Sequence, residues 1–385
     1  MSNSNLPANP FEKILDPEKE AEQIKEIADL TEKLLDKRYP SPKRILRAVH
    51  PKSHGCVRAV FQVNADIAKH LQVGLFATPG KRYDAWIRYS NARLGPDVRK
   101  NADGSLAHGS RGMAVKVTNV GGRILLDDHG ENNQDFLMIT EPSFAFANVA
   151  DYQRLTKVIN DNNDDPKLFF KPPLDATPED LQRIKRTGQL VEKIQATPVA
   201  NPLEVQYFGA APFLFGPDRV MKFSAKPSAG LKPQRLPDEN PSENYLREAL
   251  IKTMSGDEDI CFDFMVQVRG KEDGLNKEDI ENASTVWPET GEKGETKFPF
   301  VKVAKITIPA PQNDINSQSG VEHCENLVFT PWHSLADHQP LGSINRLRKA
   351  VYVASETHRG AKVVPPPQAA KQPPRNWFKR LFSLP

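Results

Sequence analysis

Between residues 15 and 37 the apolar positions Leu15, Ile24, Ile27, Leu30, Leu34 and Leu35 recur at helical spacing among acids and bases. That period predicts an amphipathic helix standing as an N-terminal arm or lid, about residues 1–40, beside the main domain. From residue 57 to about 140 the pattern changes to short segments: VRAVFQV, YDAWIRYS, RGMAVKVTNV, GRILLDD and QDFLMIT. They are rich in β-branched and aromatic residues and separated by Gly, Asn and Asp, which predicts consecutive antiparallel strands. Two more strands read CFDFMVQV (261–268) and FVKVAKITIP (300–309).

Between the strand groups, FANVADYQRLTKVIN and TPEDLQRIKRTGQLVEKIQ have a helical texture, and the second opens on a Thr-Pro-Glu-Asp start that suits capping and the helix dipole. Segment 224–245 is Pro-rich and reads as a long surface loop. Strands drawn from both ends of the chain around a helical insertion predict an α+β fold built on one closed antiparallel β-barrel with surrounding helices, because closure removes exposed strand edges. After residue 362 the texture breaks into VVPPPQAAKQPPRN, a Pro-rich linker, and WFKRLFSLP, a short basic amphipathic end. Residues 1–362 are therefore one domain and 363–385 a tail. One reading of the tail is a tether making weak contact with a membrane surface or a partner. The plainer reading is that it folds back or is disordered.

Composition narrows the function classes. The 385 residues are 38% hydrophobic and 26% charged, so the chain is globular and long enough for a sizeable core. A net charge of +3, spread without basic blocks, argues against nucleic acid as a partner. Cys56, Cys261 and Cys324 are far apart and form no CxxC pair, which suggests neither a disulfide framework nor a thiolate metal site and fits a reducing compartment. No segment has the roughly 18 uninterrupted apolar residues of a membrane span, and the N-terminus shows no basic start followed by an apolar run. A cytoplasmic location is the expectation.

Five stretches carry candidate chemistry. RAVHPKSHG (47–55) holds two histidines behind an arginine, at the entrance to the first strand. In DAWIRYSNA (84–92) strand alternation puts Trp86, Arg88 and Ser90 on one face, and an arginine and serine facing the core are costly unless a charged ligand meets them. HGSRGMAVKV (108–117) places Gly109 and Gly112 either side of Arg111, and alone reads as a turn. QDFLMITEPSFAF (134–146) runs from a strand into aromatics that could wall a flat apolar ligand. In RLRKAVYVASETHRG (346–360), Arg348 and Tyr352 are one helical turn apart on one face. A cation there favours the phenolate form of tyrosine, a hard anionic ligand suited to ferric iron.

In order along the chain, RAVH, IRYS, GSRGMAVKV, DFLMITEPSFAF and RLRKAVY resemble the matching motifs of the catalase haem-barrel superfamily. Each motif is weak singly; five in one order across residues 47–352 are specific. In size and in its tyrosine helix the chain is similar to the compact catalase-related proteins, a group that includes the coral allene oxide synthase domain. The resemblance implies a haem b cofactor with Tyr352 as the iron ligand and Arg348 keeping it ionised. It implies His50 as the distal acid–base residue and Ser90 as the group that fixes the His50 tautomer. Arg47 and Arg88 would pair with the haem propionates, with Arg111 and Arg359 as lesser candidates. For Arg47 and His50 to address one ligand, the backbone between them must bend.

The departures are as informative. By spacing from Asp135, the position where catalases keep a distal asparagine falls on Ile139. An isoleucine makes the pocket drier and favours a bulkier, apolar substrate. Val49, next to His50, is catalase-like, whereas the allene oxide synthase has threonine there. The expectation is a haem enzyme acting on hydrogen peroxide or organic hydroperoxides by distal-histidine acid–base chemistry. The alternatives are a fatty-acid hydroperoxide rearranging or cleaving enzyme, and a haem-binding barrel without catalysis. Catalases are often tetrameric; the compact relatives lack much of the interlocking structure, which leaves the oligomeric state open.

Overall fold

A computed structural model describes residues 9–361 apart from 127–129, 131, 237–239 and 292. The C-terminal tail lies outside the described residues, as do the first eight. The strands are β1 (Lys52–Val63), β2 (Arg82–Asn91), β3 (Arg99–Lys100), β4 (Leu106–Ala107), β5 (Arg111–Val117), β6 (Gln134–Ile139), β7 (Tyr207–Leu214), β8 (Arg219–Pro227), β9 (Ile260–Gly270) and β10 (Val301–Ile308). Eight of them close an antiparallel barrel in the order β1-β10-β9-β8-β7-β6-β5-β2, and β3 with β4 forms a separate ribbon. The helices are α1 (Pro17–Arg38), α2 (Val149–Asp161), α3 (Pro178–Ala196), α4 (Tyr245–Met254), α5 (Lys277–Glu281), α6 (Gln318–Asn326) and α7 (Ser343–His358).

The barrel interior is filled, not hollow. Val57, Phe61, Ile87, Tyr89, Val115, Phe136, Phe223, Phe264 and Ile306 point inward with no accessible surface. Phe136 and Phe264 sit 4.7 Å apart by ring centroid, and Phe61 meets Phe264 edge-on at 5.1 Å. Burying each such ring contributes about 1.5–3 kcal/mol. Register fixes what faces the other way: Val57 pairs with Ile87, so Cys56 pairs with Arg88, which in turn pairs with Ala114. Trp86, Arg88 and Ser90 do share a face, as alternation predicts, but it is the outer face of the barrel wall. Arg88 is thus kept out of the barrel core.

A helical layer covers that wall. Ile27 of α1, Val149 of α2, and Ile344, Leu347 and Val351 of α7 form one buried apolar cluster. The expected arm is therefore a docked helix. Arg346 of α7 bridges Glu20 of α1 at 2.6 Å and Glu281 of α5 at 2.7 Å, which fastens the layer electrostatically. The α3 start is the capping box its sequence predicts: Thr177 Oγ1 accepts from the Asp180 amide at 3.2 Å, and Asp180 Oδ2 accepts from the Thr177 amide at 2.9 Å.

Several expectations fail for physical reasons. GRILLDD is not a strand in its described part; Ile124 makes a single bridge to Leu335. β7 and β8 are strands the pattern hides. YFGAAPFL is rich in small residues because a Cβ on Gly209 would come within 2.3 Å of the Phe223 ring, and Pro212 falls inside the register shift between Gly209 and Phe213. The supposed loop 224–245 begins with the end of β8. The cysteine expectation is also overturned: Cys56 of β1 and Cys324 of α6 form a disulfide, with Cα atoms 5.4 Å apart across 268 residues of sequence. Barrel closure brings α6 against β1, which spacing along the chain cannot show. Cysteine usage therefore no longer argues for a reducing compartment. Among the described residues no helix is long and apolar enough to cross a membrane.

Candidate active site

A cavity of about 1090 Å³, counting the space at its open mouth, lies between the outer barrel wall and the helical layer. The wall supplies Arg88 and Ser90 from β2, Gly112 and Ala114 from β5, Ile139 from β6 and Phe208 from β7; α7 supplies Arg348, Tyr352, Ser355 and Glu356 from the other side. Arg47, Val49 and His50 enter on the loop before β1, and Arg359 closes the list of basic side chains. Most of the remaining lining is apolar, including Leu137, Phe144, Val328, Phe329 and Val351.

The bend required between Arg47 and His50 is present. Residues 47–50 are irregular, and His50 adopts a left-handed backbone with φ of 51°, rare for a residue with a side chain. The loop is clamped at Ala48, whose amide donates to Ser355 Oγ at 3.0 Å and whose carbonyl accepts from Arg38 Nη1 at 3.1 Å. His50 Nδ1 lies 3.2 Å from Ser90 Oγ. When Nδ1–H donates to that hydroxyl, Nε2 keeps its lone pair for a proton. Burial, reinforced by the Arg88 and Arg348 charges, pushes the His50 imidazole down to about 3. At neutral pH it is an uncharged base.

Arg88 is the most informative side chain. It is 3% exposed, and its Nε and Nη2 find no hydrogen-bond partner among the described residues. Burial first, then the neighbouring Arg47 and Arg359, press it down to about 9. A guanidinium holds its proton across the biological range, so the conflict calls for an anion in the cavity. Arg47, by contrast, is already paired: Nη1 donates to Glu325 at 2.8 Å, and Nη2 donates to the Cys324 carbonyl at 3.0 Å. Arg359 donates to the Glu325 carbonyl at 2.6 Å. Four arginines and one glutamate line the cavity, an excess of positive charge that suits a ligand with two anionic groups.

On α7, Arg348 stacks over the Tyr352 ring at 5.5 Å and over Phe144 at 5.4 Å, and its Nη1 donates to Asn345 at 3.1 Å. The adjacency expected from spacing is present, as a contact with the ring face. The structure therefore brings His50, Ser90, Arg47, Arg88, Arg348 and Tyr352 to one cavity. Arg111 is left out: it points to the opposite side of β5, where Nη2 donates to the Asp97 carbonyl at 2.6 Å. Its strand parity decides this, since Gly112, the next residue, is the one against the cavity. Phe144 lines the cavity, whereas Phe146 stands behind it, edge-on to Tyr152 at 5.7 Å. Ile139 lines the cavity and no asparagine is among the described lining residues. Asp135, from which that position was counted, is fully buried in an ion pair with Lys116 at 3.1 Å and a contact to His333 at 2.9 Å. Sequence reading missed Glu325 and Ser355 and took Gly112 only for part of a turn, because the roles of all three depend on distant partners.

Comparison with solved structures decides the architecture. A catalase A from Saccharomyces cerevisiae matches with a TM-score of 0.62 at 16% identity, over 83% of this chain and 62% of that one. The fold is that of the catalases. A bacterial catalase matches over 93% of this chain and 64% of its own, with a TM-score of 0.61 at 15% identity, and a fungal catalase over 89% and 67%, with a TM-score of 0.59 at 16% identity. The chain thus spans just under two thirds of the length of the first two. No family model matches the sequence, and no curated protein does. Among the described residues no cluster of three or more His, Cys, Asp or Glu could hold a metal ion.

Proposed function

We propose that this chain of catalase fold is a haem-dependent enzyme acting on hydrogen peroxide or organic hydroperoxides. The observation that carries the reading is one cavity that joins a tyrosine under an arginine, a neutral histidine tied to a serine, and a buried arginine with two nitrogens unpartnered among the described residues. The lining fits haem. Apolar side chains would take the macrocycle, Arg88 would take a propionate, and Tyr352 would be the single protein ligand to iron, which asks for no cluster of other ligands. Bound haem would supply the redox chemistry of the O–O bond.

The chain's own residues handle protons and access. His50 Nε2 takes the proton from the bound peroxide and returns it to the departing oxygen, while Ser90 holds the ring so that Nε2 stays unprotonated beforehand. The apolar lining keeps competing water away from that exchange. Rearrangement of fatty-acid hydroperoxides is the second reading, favoured by Ile139 and the apolar walls around it.

Haem-loaded protein separates the two. Oxygen evolution from hydrogen peroxide, or, with an electron donor such as a phenol supplied, a simple alcohol from an organic hydroperoxide, is the expected result. An epoxide, an aldehyde fragment or another rearranged product with no alcohol would transfer the assignment to the second reading. Failure to take up haem at all would overturn both.

A further inference from the structure

β5 carries a glycine at the place where it faces the cavity beside His50. Gly112 pairs with Ser90 of β2 on one side and with Ile139 of β6 on the other. Its backbone is not in the left-handed region, so conformational freedom is not what the position requires. Space is. A Cβ at Gly112 would lie 2.6 Å from His50 Nδ1, 2.8 Å from His50 Cε1 and 2.9 Å from Ser90 Oγ. Non-bonded heavy atoms of this kind rest at about 3.5–4.0 Å. The two groups it would strike are the two ends of the hydrogen bond that orients the imidazole.

We propose that Gly112 is a positioning residue: the side chain it lacks is the seat in which the His50 ring docks against Ser90. Only the importance of that ring rests on the function proposed above; the seat itself does not. The surroundings leave the ring little room to retreat. His50 already has a left-handed backbone, and its loop is clamped at Ala48 by Ser355 of α7 and Arg38 of α1. Backing away would break those bonds, so the easier response to an added methyl is rotation of the ring off Ser90 and into the cavity. Gly109, three residues earlier, supplies the contrast, because a Cβ there meets only Arg111 Nη1 at 3.4 Å.

The test compares full-length wild type, Gly112→Ala, Gly109→Ala and Ser90→Ala. Each is labelled with 15N at histidine, and any bound haem is held as the diamagnetic ferrous carbon monoxide adduct. His50→Gln identifies the His50 signals. The expected result is a displaced His50 Nδ1 signal in Gly112→Ala and an unmoved one in Gly109→Ala. Peroxide kcat in Gly112→Ala should fall on the order of 10²-fold with little change in KM, the cost of a misplaced reacting group. In the double variant with Ser90→Ala the two losses should be far from multiplicative, since both act through one ring. Unmoved His50 signals in Gly112→Ala, or moved signals with unchanged kcat, would overturn the proposal. Moved signals in a protein that never turns over peroxide would leave the seat standing and remove the peroxide reading. If Gly112→Ala does not fold, Gly112→Ala/His50→Ala removes the ring the methyl meets: recovered folding supports the seat, and continued failure overturns it.

Discussion

The two faces of the barrel wall obey different rules. Inside, aromatic rings pack at centroid distances of 4.7–6.4 Å. Even the buried His338 is accommodated there: its Nε2 accepts from the Leu75 amide at 3.1 Å and its ring lies 5.4 Å from Phe76. Outside, on the same strands and the loop before β1, a guanidinium is buried with two nitrogens unpartnered among the described residues, a histidine is bent into a left-handed backbone, and a glycine is kept where a methyl would collide. The contrast teaches where this fold does its work. A saturated interior makes the wall rigid, and that rigidity lets the outer face hold groups that a softer scaffold would let relax toward one another.

The largest expected effect belongs to the outer face. His50→Ala should lower peroxide turnover by about 10²–10⁴-fold, the usual share of a positioned acid–base group, while the haem absorption band and the thermal midpoint change little. Stopped-flow rates on haem-loaded protein read it. Retained turnover would mean that the bent loop serves structure alone, and the distinction between the two faces would collapse on the catalytic side.

Next in size is the response to acid, which separates an enclosed histidine from one facing a cavity. Burial holds His338 at about 4 against roughly 6.5 in an unfolded chain. Below pH 6.5 the unfolded state binds the proton and the folded state does not, so stability is complete above that pH and falls toward pH 4. The loss for this one group is about 3 kcal/mol. His338→Gln keeps a neutral acceptor, so its urea-unfolding free energy should fall less than wild type between pH 7 and pH 4. His50→Gln should flatten the profile at least as much, because burial together with the Arg88 and Arg348 charges holds that ring lower still, at about 3. A profile left unchanged by His50→Gln would show that solvent in the cavity screens the ring, unlike the enclosed His338.

The same contrast explains what could be read from sequence. The apolar alternation of β1, β2, β5, β9 and β10 is imposed by the filled interior, so closure of the barrel was legible, and so was the shared face of Arg88 and Ser90. Which face that was could not be read, because alternation has two solutions until the partner strands are known. β7 was hidden because its interior neighbour Phe223 demands Gly209, a residue that argues against a strand by propensity. At the site, Tyr352 and Arg348 were legible because they lie on one helix. Glu325 and the Cys56–Cys324 bridge were not, because their partners are 278 and 268 residues away. Arg111 misled because its neighbours match a motif, while its own side chain falls on the wrong side of β5.

The smallest expected effect is the sharpest in sign. Arg88→Met removes a buried cation without stranding a carboxylate, because Glu325 stays paired with Arg47. Haem-free protein should therefore gain stability, by about 1–3 kcal/mol, since replacing an uncompensated buried charge with an apolar side chain of similar volume recovers desolvation energy. The same change should weaken retention of haem, because the anion partner is gone. Arg47→Met should do the reverse to the free protein and destabilise it, since it leaves Glu325 buried without its cation. Denaturant unfolding of both variants with and without haem reads the four values. If Arg88→Met is destabilising in the absence of haem, the guanidinium is satisfied within the protein. The outer face would then be as self-sufficient as the interior, and the case for an anionic ligand at Arg88 would fall.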